Sequence, residues 1–282
     1  MAGTLRDRTI VMSGGSRGIG LAIAVRAAED GANVALLAKT DQPHPKLPGT
    51  IHTAAEAIEE AGGRALPVVG DVRDDETVAA FVADAAKTFG GVDIVVNNAS
   101  AIDLRGTEQL DPKRYDLMQS INVRGTFMLT RAAMPWLRES DHAHVLTLSP
   151  PIDLDPKWLG PHLGYTLSKY GMSMCTLGFA AELAEDAVAV NSLWPRTMIS
   201  TAAVQNLLGG DEAIQRSRTP EIVADAAYEV LVRPPADRTG QLLLDDEVLR
   251  DAGITDLEPY RADPTSDQLA FDLYVDRDID ES

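Results

Sequence analysis

The chain has 282 residues, 45% of them hydrophobic, and a formal net charge of −18 at pH 7. That length and apolar content suffice for the core of one large α/β domain, and the negative charge excludes nucleic acid and anionic membranes as partners, because both bind basic surfaces. The single cysteine, Cys175, excludes an internal disulfide framework and a cysteine-based metal cluster, and we expect no metal site. Because the sequence shows neither a long apolar stretch nor a signal peptide, we expect a soluble cytoplasmic protein.

Residues 9–20, Thr-Ile-Val-Met-Ser-Gly-Gly-Ser-Arg-Gly-Ile-Gly, predict a strand, a glycine-rich turn and the start of a helix that runs to residue 29. Gly14, Gly18 and Gly20 leave no side chain where the backbone turns tightly and approaches a pyrophosphate, and the free N–H groups of the helix face that anion. The spacing G-x-x-x-G-x-G therefore indicates a dinucleotide loop. On this motif alone, a glycine-rich turn without a ligand stays open.

A second buried strand at residues 33–38 is followed directly by Lys39. In a dinucleotide fold the end of this strand meets the adenosine ribose, where an acidic side chain would bind the 2′-hydroxyl of NAD. Lys39, with Arg17 in the glycine loop, places two cations and no acid there. The pattern favours the 2′-phosphate of NADP over NAD, and a solvated lysine at the strand end is the alternative.

The remaining chain alternates strands with helices. Strands are predicted at residues 65–69, 92–96, 143–148, 188–193 and 240–244, and helices at residues 51–61, 112–137, 165–185 and 220–232. This alternation predicts a Rossmann-type doubly wound parallel sheet with helices on both faces, in a single domain, whose ligands lie at the carboxyl ends of the strands. Polar residues stand at those ends: Asp71, which could accept from the adenine amino group or cap a helix, then Asn97-Asn98, and Ser149.

We assign residues 1–250 to this domain and residues 251–282 to an acidic C-terminal extension with ten acidic residues and two arginines. The extension also carries apolar groups, among them Phe271, Leu273 and Tyr274, which are too many for a wholly disordered tail. We expect it to fold over its own subunit or over a neighbour, near the mouth of the substrate pocket.

Several motifs occur in one order: the glycine loop, Asn97-Asn98-Ala99, Asn122 inside a helix, Ser149, and Tyr165-x-x-x-Lys169, whose spacing puts both side chains on one helical face. Together they resemble the short-chain dehydrogenase/reductase family over residues 5–245. The resemblance implies an oxidoreductase that transfers a hydride between NADP(H) and a carbonyl or secondary alcohol of an apolar, lipid- or steroid-like small molecule. The pocket residues Ile102, Trp158, Leu159, Trp194 and Met198 agree with an apolar substrate.

The resemblance also implies roles for the catalytic residues. Tyr165 is the acid-base, and Lys169 stabilises its phenolate, lowers a pKa that is ordinarily near 10, and holds the nicotinamide ribose. Asn122 holds a water that relays the proton, and Ser149 polarises the substrate oxygen. The implied cofactor contacts are Gly14, Gly15, Ser16, Arg17, Gly18, Ile19, Gly20, Lys39, Asp71, Val72, Asn98, Ala99, Tyr165, Lys169 and Ile199.

The sequence departs from the family pattern at three places. Ser149 lies sixteen residues before Tyr165 where the family usually has thirteen, and Pro150 takes the place of a second serine. Either a longer loop lets Ser149 act, or the oxygen is polarised without a serine. Ser100 replaces a glycine, and Arg196 replaces the glycine that usually follows proline before the nicotinamide-binding residues.

Two further expectations concern function class and assembly. The alternative to the enzyme is a nucleotide-sensing binding protein of the same fold with little or no turnover.

In the family, the helices that carry Asn122 and Tyr165 commonly pack against their copies in another subunit. In this chain, the helix that carries Tyr165 is apolar around most of its circumference. We therefore expect a homodimer or homotetramer, with a monomer as the alternative.

Overall fold

The computed structural model describes residues 3–43, 48–207, 209–266 and 268–276. Within these residues, parallel strands form one seven-stranded sheet in the order β3-β2-β1-β4-β5-β6-β7. The strands are β1 (Thr9–Ser13), β2 (Asn33–Ala38), β3 (Arg64–Val69), β4 (Ile94–Asn97), β5 (His144–Leu148), β6 (Ala189–Trp194) and β7 (Leu242–Leu244). The strand order reverses between β1 and β4, so a crevice opens there at the carboxyl edge. The predicted Rossmann-type fold is confirmed.

Helices cover both faces of the sheet. They are α1 (Gly18–Ala28), α2 (Ile51–Glu60), α3 (Asp75–Phe89), α4 (Pro112–Met118), α5 (Gly125–Leu137), α6 (Pro156–Leu159), α7 (Leu163–Glu182), α8 (Ala202–Leu207), α9 (Gly210–Gln215), α10 (Glu221–Leu231) and α11 (Asp245–Asp251). One apolar core lies between the sheet and α1, α2, α10 and α11, and a second lies between the sheet and α3, α5 and α7. No helix in the described ranges is long and apolar enough to cross a membrane.

Local sequence explains these elements. The central strands are buried on both sides, and their side chains form continuous apolar runs because helices cover both faces. Thr50 and Thr53 form a reciprocal capping box at the start of α2, and Asp74 caps α3 by accepting from the backbone N–H of Thr77. Gly90 ends α3 in the left-handed region, with φ of 95°. Such signals are local, so the helix predicted over residues 51–61 lies within a residue of the observed α2.

The helix predicted over residues 112–137 is interrupted. A turn of π-helix, Gln119–Arg124, separates α4 from α5 and carries Asn122 in its interior. A π-turn widens the helix by one residue and often lies at a functional site. The short helices α6, α8, α9 and α11 lie in segments for which the sequence predicts no helix.

The chain beyond β7 returns to the carboxyl edge of the sheet. Helix α11 crosses the predicted boundary at residue 250, and Phe271 forms an antiparallel bridge with Thr197, just after β6. Met198 N donates to Ala270 O at 2.8 Å, and Asp272 N donates to the carbonyl oxygen of Arg196 at 3.0 Å. We call residues 268–276 the C-terminal strap.

Candidate active site

The glycine loop packs tightly between β1, β2 and β4. Gly14 and Gly18 have φ of 78° and 57°, a region that residues with a side chain rarely adopt. A Cβ on Gly14 would lie 2.8 Å from the backbone of Ala99, and one on Gly20 would lie 2.4 Å from the Asn98 amide. That amide donates to the carbonyl oxygen of Gly14 at 2.8 Å. Contacts across the sheet therefore hold the loop open in front of α1.

The adenosine end of the site combines cations with one carboxylate. Lys39 Nζ donates to Asp71 at 3.0 Å, and the Arg73 guanidinium also binds this carboxylate. The hydrogen bonds from Arg73 and Lys39 hold the pKa of Asp71 far below its usual value. Arg17 donates to the carbonyl oxygens of Pro48 and of residue 49, at 3.0 Å each. Asp71 is thus engaged by cations, and the contact with adenine stays a prediction; the helix cap that the sequence left as the alternative is made by Asp74.

Asn122 ties the π-turn to the loop after β4. Its Oδ1 accepts from Ala101 N at 2.7 Å, and its Nδ2 donates to Ala101 O at 3.0 Å and to Ser168 Oγ at 2.8 Å. Ser168 lies next to Lys169 on α7, so the side chain of Asn122 positions the helix that carries the candidate acid-base. Both of its donors are satisfied by protein atoms.

Tyr165 and Lys169 lie one turn apart at the start of α7, and both are buried. Lys169 Nζ donates to the carbonyl oxygen of Leu148 at 2.7 Å, contacts Met172 Sδ at 3.6 Å and lies 4.8 Å from the ring centroid of Trp194. Burial lowers the pKa of the Lys169 ammonium to about 7. Burial also raises the pKa of Tyr165 well above its ordinary value, which opposes the lowering that the sequence predicts from Lys169.

Ser149 follows directly after β5 and is completely buried. Its hydroxyl has no hydrogen-bond partner among the residues that the structure describes. An unpaired buried hydroxyl costs about 1–3 kcal/mol, so this oxygen can accept a new partner at a net gain. The strand residue before it, Leu148, lines the central cavity, whereas Ser149 does not.

The strap packs against Tyr165. The Tyr274 ring stacks on Tyr165 with a centroid distance of 6.4 Å and packs against Tyr170 at 5.2 Å, Trp158 at 5.9 Å and Trp194 at 6.3 Å. Its hydroxyl is 3.1 Å from the hydroxyl of Thr166 on α7. Trp194 Nε1 donates to the carbonyl oxygen of Leu273 at 2.9 Å. The extension thus reaches the substrate side of its own chain.

A second group of charges lies beneath the strap. The Arg196 side chain is 5% exposed, donates to both carboxylate oxygens of Asp246 at 2.7 Å and also binds Glu247. The backbone N–H of Arg196 donates to Asp245, and burial raises the pKa of that carboxyl to about 6. The arginine that replaces the family's glycine therefore ties the end of β6 to the start of α11.

One cavity of about 1500 Å³ connects these parts, a volume that accepts a dinucleotide together with a small substrate. Of the site residues chosen from sequence, its wall includes Gly14, Ser16, Arg17, Gly18, Ile19, Lys39, Asp71, Val72, Asn98, Ala99, Tyr165, Lys169 and Ile199. Gly15, Gly20, Asn122 and Ser149 do not line the cavity. Sequence reasoning missed Ser200, Ala202, Val204, Asp272 and Leu273, which also line the cavity. Within the described ranges, no group of three His, Cys, Asp or Glu side chains could hold a metal ion.

Comparison with known proteins agrees with this geometry. The chain is 50% identical over 274 residues to hydroxysteroid dehydrogenase-like protein 2 of Xenopus tropicalis, covering 97% of this chain and 65% of that relative, so it spans less than two thirds of the relative's length. A solved structure from Xanthomonas campestris, named as a dehydrogenase, is 54% identical with a TM-score of 0.93, covering 97% of this chain and 99% of the other. A short chain dehydrogenase of Mycobacterium thermoresistibile is 58% identical with a TM-score of 0.91, covering 97% and 96% of the two chains.

Residues 8–210 match the family model described as short chain dehydrogenase. Those residues include the glycine loop, Asn122, Ser149, Tyr165 and Lys169. This chain therefore belongs to the short-chain dehydrogenase/reductase family of oxidoreductases, whose fold binds nicotinamide cofactors.

Proposed function

We propose that the protein transfers a hydride between NADP(H) and a carbonyl or secondary alcohol of an apolar substrate. The observation that carries the proposal is the meeting of Tyr165, Lys169 and the glycine loop in one cavity of about 1500 Å³. Apolar side chains of Ile102, Trp194 and Leu273 line its substrate end, which suits a lipid- or steroid-like molecule better than a sugar or an acid. The printed name of the hydroxysteroid dehydrogenase-like relatives agrees with that choice.

The chain's own residues supply the proton transfer. Tyr165 donates its phenolic proton to the carbonyl oxygen during reduction and takes the hydroxyl proton during oxidation. Two of the three Lys169 donors contact described protein atoms, which leaves one for a ribose hydroxyl. The family resemblance gives Ser149 the role of donor to the substrate oxygen; its unpaired hydroxyl is completely buried and does not line the cavity, so the loop after β5 would have to move for it to reach the substrate. Asn122 holds the start of α7 in place. When bound, the cofactor supplies or accepts the hydride.

Variants of Tyr165 and Lys169 test the chemistry. Tyr165→Phe should reduce kcat at least ~100-fold, the usual contribution of a positioned acid-base, while NADPH binding measured by calorimetry stays near wild type. Lys169→Ala should reduce both affinity and rate. A panel of apolar ketones and alcohols, followed by NADPH oxidation or NADP reduction, identifies the substrate for these assays. Full activity of Tyr165→Phe on that substrate contradicts the mechanism.

The preference for NADP rests on Lys39 and Arg17 at the adenosine end. Lys39 is 60% exposed on its side chain and already pairs with Asp71, so a 2′-phosphate would compete for it with a carboxylate. We still expect NADPH to bind at least tenfold more tightly than NADH, a difference of about 1.4 kcal/mol. Lys39→Ala should reduce that ratio and leave NADH binding unchanged. Equal affinities of the wild type for both cofactors would exclude the preference.

The alternative function, nucleotide sensing with little or no turnover, has one observation in its favour. Tyr165 is 5% exposed under the strap, and the Tyr274 ring occupies the space next to it. A sensor would bind NADPH and shift the protease sensitivity of the strap, yet reduce no member of the ketone panel. The same panel and the same calorimetry therefore separate the two functions.

For assembly, we propose a homodimer or homotetramer through α5 and α7. Their outer faces expose Phe127, Trp136, Leu167, Met174 and Leu177, which are 39–66% accessible. Apolar residues at this density on neighbouring helices favour burial against a second copy. Light scattering at micromolar concentration should return a multiple of 30.2 kDa, and Met174→Glu should shift the measured mass towards the monomer.

For location, the single cysteine favours the cytoplasm, which cell fractionation would test.

A further inference from the structure

The ring of Tyr274 on the C-terminal strap fills a space that is enclosed by other aromatic rings. Four ring centroids surround that of Tyr274, at 5.2 Å (Tyr170), 5.9 Å (Trp158), 6.3 Å (Trp194) and 6.4 Å (Tyr165). Only 4% of Tyr274 is exposed. The protein therefore surrounds a flat six-membered ring at this place, and we call the space that the Tyr274 side chain occupies the Tyr274 seat.

The Tyr274 seat is contiguous with the central cavity. Tyr274 does not line that cavity, but four residues belong both to the cavity wall and to the apolar cluster around Tyr274: Ile102, Tyr165, Trp194 and Leu273. Trp158 and Leu159, which the sequence assigns to the substrate pocket, pack against this cluster and do not line the cavity. Part of the predicted substrate pocket is thus filled by the strap.

The seat also has a polar end. The Tyr274 hydroxyl lies 3.1 Å from Thr166 Oγ1, and the Thr166 hydroxyl donates its own hydrogen to the carbonyl oxygen of Trp158 at 2.9 Å. Because a threonine hydroxyl carries one hydrogen, Thr166 accepts from Tyr274 in this arrangement. The seat therefore contacts a ring by its faces and accepts a hydrogen bond from a hydroxyl group on that ring.

The strap is attached in a way that lets Tyr274 leave. Among the described residues, the hydrogen bonds that join the strap backbone to the rest of the domain end at Leu273, whose carbonyl oxygen accepts from Trp194 Nε1. Tyr274 has φ of 70°, a region that is unfavourable for a bulky residue. Asp276 is held by an exposed ion pair with Lys157, and such pairs contribute little to stability. Ring packing therefore holds a segment that is strained and otherwise weakly attached.

We propose that the Tyr274 seat is a subsite for the substrate, and that residues 274–276 of the strap leave it when the substrate binds. The ligand that fits is a molecule whose flat six-membered ring carries a hydroxyl group and is joined to the ketone or alcohol that reacts beside Tyr165. The subsite rests on the function proposed above for its role in the reaction, but the binding step is measured without turnover.

Three ketones of increasing size test the subsite. Butanone has no ring, benzylacetone adds a phenyl ring, and para-hydroxybenzylacetone adds the hydroxyl group. Calorimetry with saturating oxidised cofactor measures their binding, because an oxidised cofactor cannot reduce a ketone. In the wild type the strap must open before a ring can enter, so the affinity for both ring ketones is reduced by the fraction of protein that is open.

Tyr274→Ala vacates the seat. We expect this variant to bind para-hydroxybenzylacetone about 10²-fold more tightly than the wild type does, and to bind butanone equally well. Benzylacetone should bind to the variant about three- to tenfold more weakly than the phenol, because it lacks the hydrogen bond to Thr166. Tyr274→Phe is the matched control: its ring still fills the seat, so its affinity for the ring ketones should rise by no more than about tenfold.

A strap that cannot open should give the opposite result. Lys157→Cys and Asp276→Cys can be joined by a short bismaleimide, because the two native side chains form an ion pair and are about half exposed. Cys175→Ala removes the one native cysteine from this variant. The cross-linked protein should bind butanone and the cofactor as before, and it should bind para-hydroxybenzylacetone at least about tenfold more weakly.

The outcomes separate the subsite from the reaction. Unchanged binding of the ring ketones by Tyr274→Ala overturns the proposal, and so does weaker binding, because Tyr274 would then be a wall that the ligand contacts. Absence of ring-ketone binding to both proteins, or unchanged binding after cross-linking, overturns it too. If the ring ketones bind as expected and NADPH reduces no ketone, the subsite stands and the proposed function fails. If a ketone is reduced while Tyr274→Ala leaves ring-ketone affinity unchanged, the subsite alone fails.

Discussion

Replacement of Tyr274 by alanine is the most direct perturbation of the strap. The tyrosine is 4% exposed and packs against the rings of Tyr165, Tyr170, Trp158 and Trp194. Truncation of a buried aromatic side chain to alanine costs about 3–5 kcal/mol. Because the strap pairs with none of the seven strands of the sheet, we expect this loss to appear as local opening and not as global unfolding.

The free energy lost with the Tyr274 side chain can be compared with the hydrogen bonds that hold the strap. Ala270 and Asp272 donate their N–H groups to residues 216 and 196, and the strap accepts from Met198 N and from the indole of Trp194. At about 0.5–1.5 kcal/mol each, these four bonds contribute about 2–6 kcal/mol. Tyr274 thus accounts for roughly half of the docking energy. Its loss should raise the population of the open strap by about 10²–10⁴-fold.

Hydrogen exchange of the strap amides measures that population. Amides of residues 270 and 272 should exchange about 10²–10⁴-fold faster in Tyr274→Ala, and protease should cut the strap correspondingly faster. Tyr274→Phe is the matched control: it keeps the ring and loses only the bond to Thr166, so it should change exchange by no more than about tenfold. If alanine and phenylalanine gave the same exchange rates, the aromatic packing would not hold the strap and the reasoning would fail.

Three further outcomes follow from the structure. Burial raises the pKa of Asp245 to about 6, so the folded state binds more protons than the unfolded state between pH 4 and 6. The free energy of unfolding of the wild type therefore falls as pH rises through this range. In urea titrations, the free energy of unfolding of Asp245→Asn should rise by up to about 3 kcal/mol relative to that of the wild type between pH 4 and pH 7. Arg196→Leu removes the guanidinium bonds to the buried Asp246, which keeps its bond to Arg250, and should cost about 1.5–3 kcal/mol in the same assay. A loss under about 1 kcal/mol would contradict a stabilising role of the Arg196–Asp246 pair. Gly20→Ala places a Cβ 2.4 Å from the Asn98 amide and should lower the melting temperature and NADPH affinity, whereas Gly91→Ala, which meets nothing within 4 Å, should change neither.

The parts of the fold that sequence predicts well are those with local signals. The observed β2, Asn33–Ala38, coincides with its prediction because a strand buried on both faces reads as an uninterrupted apolar run between turns. The four-residue spacing of Tyr165 and Lys169 fixes one helical face wherever the helix lies. Convergence of the strand ends then follows from the parallel topology. The candidate cofactor site is therefore largely contained in short segments of sequence.

Local sequence signals do not predict the π-turn at Asn122 or the position of Ser149. A π-turn depends on an extra residue being accommodated by packing, here the contacts of Asn122 with the backbone of residue 101 and with Ser168. The neighbour of Ser149, Pro150, accepts a hydrogen bond from Ser173 of α7, which holds this loop against the helix. The path of that loop decides whether the serine hydroxyl faces the cavity, and the hydrophobic periodicity of the sequence does not predict this path.

The strap is the part of the site farthest from prediction, and the reason is topological. Residue 271 pairs with residue 197, and residue 274 packs on residue 165, so the contacts join segments about 70 to 110 positions apart in sequence. The charges and apolar residues there predict an extension folded near the mouth of the substrate pocket, but they do not predict which of its residues meet Tyr165. The strap packs the Tyr274 ring on Tyr165 and brings Asp272 to the wall of the cavity that Tyr165 and Lys169 also line. Burial raises the pKa of the candidate acid-base Tyr165, and the segment that packs on its ring lies outside the part of the chain matching the family.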